Sequence, residues 1–375
     1  MGKRELLLIA AFVVVGVVVY HVTAPASESR GIGFSIGRIV DEIRREVRGR
    51  PASAEITASA THPLPPGVTE LRVTLQNSPV IITGEDRPDI ASELWVRSNG
   101  VDDAEAKSLA GRAVLKVEPA GPTVTVSVNL PQEGSQRVRL ELRVPAAMLV
   151  QFGPTNARIE VAGVQGVELE SARGETIIKQ IKGRAAITHR GGDFTVEDVG
   201  SVRLTTRGSD LRLARVSGES ALEIEAGDVR ASELLGPVEI EANAADITLE
   251  DLHKSRGPFR VNAVGGSVTI RGLGAEARIE GRDAEIDVVF AAAAPVAIFS
   301  TGERVQITPP RDGFTLDAVA TGGRITIPDG IAPQITSSAA PGDKEQRAAG
   351  KVGGGGPSIT IRATRGDIRV NAREP

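Results

Sequence analysis

The sequence predicts an all-β protein, a right-handed β-solenoid with coils of about 18 residues, and three observations carry that reading. Apolar and polar residues alternate in short runs, the runs return at a nearly constant interval, and 42 Gly and 22 Pro supply turns while aromatic residues are only 3%. The pattern is clearest over residues 167–273. Val167 and Leu169 alternate with Glu168 and Glu170, a glycine turn follows, and Thr176 and Ile178 make a second stroke that trails off at Ile181. Later copies keep both strokes: Val202 and Leu204 before Leu211 and Leu213, Val238 and Ile240 before Ile247 and Leu249, Phe259 and Val261 before Val268 and Ile270. Alternation of period two places the apolar members of each stroke on one face.

The residue before the second stroke is in turn Glu175, Asp193, Asp210, Asp228, Asp246, Ser267, Glu285, Arg304 and Arg324, a spacing of 17 to 21 residues. A unit this short cannot bury its apolar face alone, so units must stack, with strands about 4.8 Å apart. The two strokes start mostly eight or nine residues apart, which does not fit the six-residue period of a left-handed hexapeptide helix. A right-handed solenoid follows.

At the start of the chain, Lys3 and Arg4 precede the unbroken apolar run 6–20. Residues 6–22 are expected to form a transmembrane anchor (or an uncleaved signal), with residues 1–5 cytoplasmic and the rest on the extracytoplasmic side of a bacterial cell membrane; export after cleavage near Ala24 or Ala26 is the alternative. Ile32, Ile36, Ile39, Ile43 and Val47 recur at helical spacing, so 32–49 reads as a juxtamembrane amphipathic helix, lying on the membrane or capping the first coil. Residues 50–66, with Pro51, Pro63, Pro65 and Pro66, read as a linker.

Over 67–148 the period is absent but alternation persists, which predicts an antiparallel β region that closes the N-terminal end of the solenoid, with a short helix within 101–110. Trp95, the only tryptophan, is expected in the core. The solenoid itself is expected over 149–375. A flexible insertion at 336–357, containing Gly353 to Gly356, is expected to precede a terminal coil that starts at Ser358.

Leu71-Arg-Val-Thr-Leu, Leu142-Arg-Val-Pro145 and steps such as Gly192-Asp193-Phe194 and Gly227-Asp228-Val229 resemble those of a bacterial domain-of-unknown-function family known as putative adhesins. The resemblance covers most of 67–375. Asn156-Ala157-Arg158 and Ala244-Ala245-Asp246 depart from its Gly-Asp step. It implies an extracytoplasmic β-solenoid, often membrane-tethered, and carries over no catalytic residues.

Chemistry-bearing residues are few. There is no Cys, which excludes disulfides and thiol chemistry, and a net charge of −4 gives no nucleic-acid footprint. No cofactor is expected. Stacking would bring Glu175, Asp193, Asp210, Asp228, Asp246, Glu285 and Asp367 into one row, with Arg173, Arg190, Arg207, Arg282 and Arg365 just ahead of them as neutralising partners. The row reads either as a cation or sugar ladder or, preferred, as acids closing turns through local backbone hydrogen bonds. His21, His62, His189 and His253 lack metal-ligand spacing and read as solitary surface residues. Arg365-Gly366-Asp367 and Gly33-Phe34-Ser35-Ile36-Gly37 match short motifs by coincidence of the turn and juxtamembrane patterns.

The function these features predict is non-enzymatic: a membrane-anchored envelope protein whose solenoid is a binding or scaffolding surface, adhesin-like, toward another envelope protein or a glycan. A polysaccharide-active enzyme using stacked acids is the alternative, and a filament-forming solenoid the third reading.

Overall fold

Almost every alternating run becomes a strand, and the strands join one large, mostly parallel sheet. In the computed structural model the described residues are 52–372, apart from 76, 134, 172, 332–333 and 338–343. The expected cytoplasmic stretch 1–5, anchor 6–22 and amphipathic helix 32–49 lie outside them. Among the described residues no helix is long and apolar enough to cross a membrane.

The chain advances in tiers of two strand segments, each paired in parallel with the tier before. In the first segment Val167 faces Ala185, Val202 faces Ser220, Ser220 faces Val238 and Val238 faces Phe259. In the second, Leu211 faces Val229, Val229 faces Ile247 and Ile247 faces Val268. The step lengthens before Phe259, where the short 3-10 turn Leu252–Lys254 is inserted. Ile240, Ile247 and Leu249 are at most 1% exposed, Glu239 and Glu241 are exposed and Thr248 is half-buried, so the inward row is the one the alternation predicts. These rows join one continuous apolar core from Leu71 to Val370.

The corner between the two segments explains the recurring glycines. Gly208, Ala226, Ala244, Gly265 and Asp283 turn it with positive φ. At Gly227 (φ 110°) and Gly266 (φ 77°), one residue later, an added Cβ would lie 2.2 Å from the carbonyl oxygens of Ser209 and Ala245 in the preceding tier. Where the chain keeps negative φ at this place it uses Ser209 or Ala245 instead, which accounts for Ala244-Ala245-Asp246 lacking the glycine.

At the N-terminal end the expected antiparallel region 67–148 is corrected in part: it holds parallel tiers as well as antiparallel strands. Glu70–Thr74 and Val80–Glu85 form a tier that lies between two others. Glu70–Thr74 pairs in parallel with both Thr123–Asn129 and Leu149–Thr155, and Val80–Glu85 with both Ser135–Pro145 and Ile159–Ala162. Parallel tiers therefore begin at Glu70, and the outermost one comes later in sequence than the one it covers. A long excursion separates them, which is why no period shows.

That excursion supplies the antiparallel cover. Asp89–Gly100 pairs with Ser135–Pro145 on one side and Ala52–Pro63 on the other, while Val114–Ala120 covers Thr123–Asn129. Helix α1, Asp103–Gly111, is capped by the Asp102 carboxylate, which accepts from the Glu105 backbone N–H at 2.8 Å, and its Ala106, Leu109 and Ala110 are buried. The linker expected at 50–66 is mostly strand. Residues 52–62 alternate without proline, and Pro63 falls at the last position of an edge strand, where a missing N–H costs no ladder bond. Trp95 is also corrected: Leu94 and Val96 face inward, so Trp95 faces outward, half-buried, between Thr57 and Arg139.

The C-terminal end is closed by the same device. Tier 358–370 is not outermost, because it lies between 296–308 and 314–326: Ile359 faces both Val296 and Leu316, and Ile368 both Val305 and Ile325. The expected flexible insertion 336–357 is in part a strand, Glu345–Val352, antiparallel to Phe314–Thr321 and to Gln334–Ser337. An uncovered parallel edge would leave a row of unpaired N–H and C=O groups; this strand pairs those of Phe314–Thr321, and the Gln346 side chain accepts from the Ile325 N–H at 2.7 Å.

Candidate functional site

The first segment of the tiers puts every second side chain outward, and parallel register stacks these into rows. One row is Thr205, Glu223 and Glu241; another, two positions on, is Arg207, Glu225 and Asn243. With Thr188 and Arg190 of the preceding tier, the two rows border a shallow hollow of about 520 Å³. The Thr205 hydroxyl donates to Glu223 at 3.3 Å, and Arg207 forms an ion pair with Glu225. A second hollow of about 380 Å³ shares Glu241 and continues past Arg260, Asn262, Arg278 and Glu280. There the Arg278 guanidinium lies 4.7 Å from the centroid of the Phe299 ring. The result is a long, open strip of hydroxyls, carboxylates and guanidiniums. Sequence reasoning singled out Arg190 and Arg207 only as partners of the acid row and passed over the rest of the strip, although the parity of Leu204 and Ile240 already marks their neighbours as outward.

The acid row exists in part. Register sets Asp228 beside Asp246, Asp246 beside Ser267, and Ser267 beside Glu285. The Asp210 carboxylate accepts from the Asp228 backbone N–H at 3.4 Å, and Asp246 accepts from the Ser267 hydroxyl at 2.7 Å. Asp193 is exposed just before Phe194. At the ends of the row, charges alternate instead. Glu175 pairs with Arg158 at 3.1 Å, Glu285 with Arg304, and Asp367 accepts from the Arg324 backbone N–H at 2.8 Å. The cations come from neighbouring tiers, and Arg207, expected beside Asp210, pairs with Glu225 instead. Among the described residues no three His, Cys, Asp or Glu are placed to hold a metal ion.

The other corner carries a second charged cluster. Arg215 donates to Asp198 at 2.6 Å and 3.0 Å and reaches Glu197 at 3.4 Å, with Lys179 at 3.5 Å from Glu197. The hydrogen bond from Arg215 holds the Asp198 carboxyl below its ordinary value. Since Asp198 and Arg215 both turn with positive φ, this cluster fastens two successive corners.

His189 is not the surface residue its isolation suggested. It is fully buried and stacked on Phe194, and neither ring nitrogen makes a well-formed hydrogen bond. Burial pushes its pKa down, against a smaller opposing pull from the backbone of Gly192 and Gly191, so the ring is neutral at neutral pH. His62 is half-buried with Nε2 3.0 Å from the Ser92 hydroxyl; His253 is exposed and His21 lies outside the described residues.

On the antiparallel cover, Trp95 borders a smaller hollow of about 190 Å³ with Glu93, Arg139 and Glu141. An adjoining hollow of about 360 Å³ shares both acids and adds Ser59, Thr61 and Arg143. Arg139 pairs with Glu141. The parity of Glu93 and Arg97 was the available signal that Trp95 faces out.

No family model and no curated protein matches the chain. Among solved structures it is similar to a putative adhesin from Parabacteroides merdae, at 9% identity over 84% of this chain and 96% of that one, with a TM-score of 0.28. A putative adhesin from Parabacteroides distasonis is 12% identical over 86% and 98%, with a TM-score of 0.26. A putative cell adhesion protein from Clostridium sporogenes is 9% identical over 86% and 100%, with a TM-score of 0.19.

Proposed function

We propose that the chain is a non-enzymatic envelope protein, tethered to the membrane through residues 6–22, whose tiers wind as a right-handed β-solenoid of about 18 residues per coil. Its outward strip acts as an adhesin-like binding or scaffolding surface for a glycan or another envelope protein. The observation that carries this reading is the pair of hollows joined at Glu241, which makes a strip several tiers long. A shallow strip of hydroxyls and paired charges suits an extended polar polymer, with many exchangeable hydrogen bonds and little apolar burial. It is unlike the enclosed, mostly apolar pocket that holds a small molecule. Membrane pull-downs and a glycan panel, run with the full-length protein and with an Arg190→Glu, Arg207→Glu variant, test it. The parent retains a partner that the variant loses; an unchanged set of partners would remove this strip from the account.

A second reading, a polysaccharide-active enzyme, draws on the register that sets Asp228 beside Asp246. Neighbouring strands lie about 4.8 Å apart, close to the separation of about 5 Å between carboxylates in retaining glycosidases. Glycan cleavage by the parent that disappears on changing Asp210, Asp228 and Asp246 to Asn would establish it. The antiparallel strands over both ends of the stack weigh against end-to-end filaments.

A further inference from the structure

Tiers 296–308 and 314–326 follow one another in the chain, yet they do not pair with each other. Each pairs instead with tier 358–370, which fills the slot between them on both strand edges. Inside the slot Ile359, Ile361, Ala363, Ile368 and Val370 are at most 3% exposed. On its rim Arg362 forms an ion pair with Asp317 at 2.5 Å, and the Asp367 carboxylate accepts from the Arg324 backbone N–H at 2.8 Å. The slot is therefore a binding site whose ligand is a particular pair of β-strands. The chain enters that ligand from Glu345–Val352 through Gly353 to Gly356, three of which turn with positive φ. A run of glycines takes up an extended path as readily as a turned one, so no strain holds this connection to one route.

We infer that the slot accepts tier 358–370 of a second copy as well as its own, so that two chains join by exchanging this tier. Every contact in the slot would be identical in the exchanged pair, and only the path of the glycine hinge would differ. The exchange is then set by concentration and by how often the tier leaves. The tier has few local contacts to hold it, since all its strand partners lie far away in sequence, which favours late closure during folding. Complementarity on two edges, in apolar filling and in rim charge commits the slot to this occupant rather than to an unrelated strand.

Thr301 and Thr364 supply the test, because they face each other in parallel register near the surface and the chain has no native Cys. Neighbouring strands about 4.8 Å apart fall within the Cα separations a disulfide spans. Two full-length single variants, Thr301→Cys and Thr364→Cys, with tags of different size, are mixed at high concentration and taken through mild denaturant and back. They are then oxidised and run on a non-reducing denaturing gel. Exchange gives a crosslinked heterodimer that dominates both homodimers, because only it brings position 364 of one chain beside position 301 of the other. A heterodimer no more abundant than the collisional homodimers overturns the inference. The double variant oxidised without denaturant reports whether both substitutions are tolerated: an intrachain bridge shows the slot intact, and failure to form one would show that the register itself is wrong.

Discussion

The His189 ring lies on the Phe194 ring with 5.0 Å between centroids and 19° between planes, inside a core that gives the imidazole no water. Desolvation puts its folded pKa below the ordinary value. The unfolded chain therefore takes up a proton that the folded chain refuses. Stability from this group is complete above about pH 6.5 and is lost as pH falls, until the folded value is passed. Denaturant unfolding at pH 7.5 and pH 5 should show a loss in the parent that His189→Leu largely removes. The carboxyls with depressed values, Asp198 and Asp317, titrate at lower pH, and Asp287, whose carboxyl burial pushes up, is the same in both proteins and cancels in the comparison. An equal loss in both proteins would mean that His189 is protonated in the fold.

Gly227 and Gly208 sit at neighbouring corners and separate two roles of glycine. At Gly208 (φ 64°) a Cβ meets nothing within 4 Å, and Ala226 and Ala244 already occupy the equivalent place, so Gly208→Ala should cost only about 1 kcal/mol. At Gly227 the Cβ would strike the Ser209 carbonyl, so Gly227→Ala should cost about 3 kcal/mol, adding forced displacement to the strained φ. Thermal unfolding of the two variants side by side decides; equal shifts would show that the tiers separate easily enough to admit a methyl group.

The middle of the stack could be read from the sequence because neighbours in space there are neighbours in sequence. Val202, Ser220, Val238 and Phe259 stack in chain order, so periodicity alone reveals them. At the ends this breaks down. Ile359 lies against Val296 and Leu316, and Leu71 against Val124 and Val150, and no local pattern encodes such pairings. Arg324 opens a tier of the shape its spacing from Arg304 predicts, but Asp367 and its tier lie between the two. The outward strip was half legible: parity fixes that Thr205 and Glu223 face out, but only register sets them side by side. His189 defied its residue type, since a polar ring fills an inward place next to Ser171.

Ile247 and Thr248 test the inward row directly. Ile247 is fully buried between Val229 and Val268, whereas Thr248 is half-buried on the outer face. Ile247→Asp places an unpaired carboxylate in a dry stack and leaves a void, a loss of about 4 kcal/mol or more. Thr248→Asp should cost less than about 1 kcal/mol. Denaturant midpoints that fall equally for both would put the register one residue out.

Ile361 and Ile279 test whether the displaced tier is covered on both sides. Ile279 lies in mid-stack, between Val261 and Ile298; Ile361 lies between Ile298 and Ala318, and both are fully buried. If tier 358–370 sat outermost, as chain order suggests, Ile361 would have a neighbour on one side only and its truncation would remove fewer contacts. Covered on both sides, each Ile→Ala leaves a comparable cavity and should cost about 3 kcal/mol. Ala318 is smaller than its counterparts in mid-stack, so Ile361 fills more of the space it shares and its truncation should cost no less than that of Ile279. Hydrogen exchange adds a comparison without mutation: amides of Ile361 and Ile279 should both open more slowly than those of the edge strand Ala52–Pro63. Exchange at Ile361 as fast as in that edge strand, together with a smaller loss for Ile361→Ala, would place tier 358–370 at the end of the stack and leave the slot between 296–308 and 314–326 without an occupant.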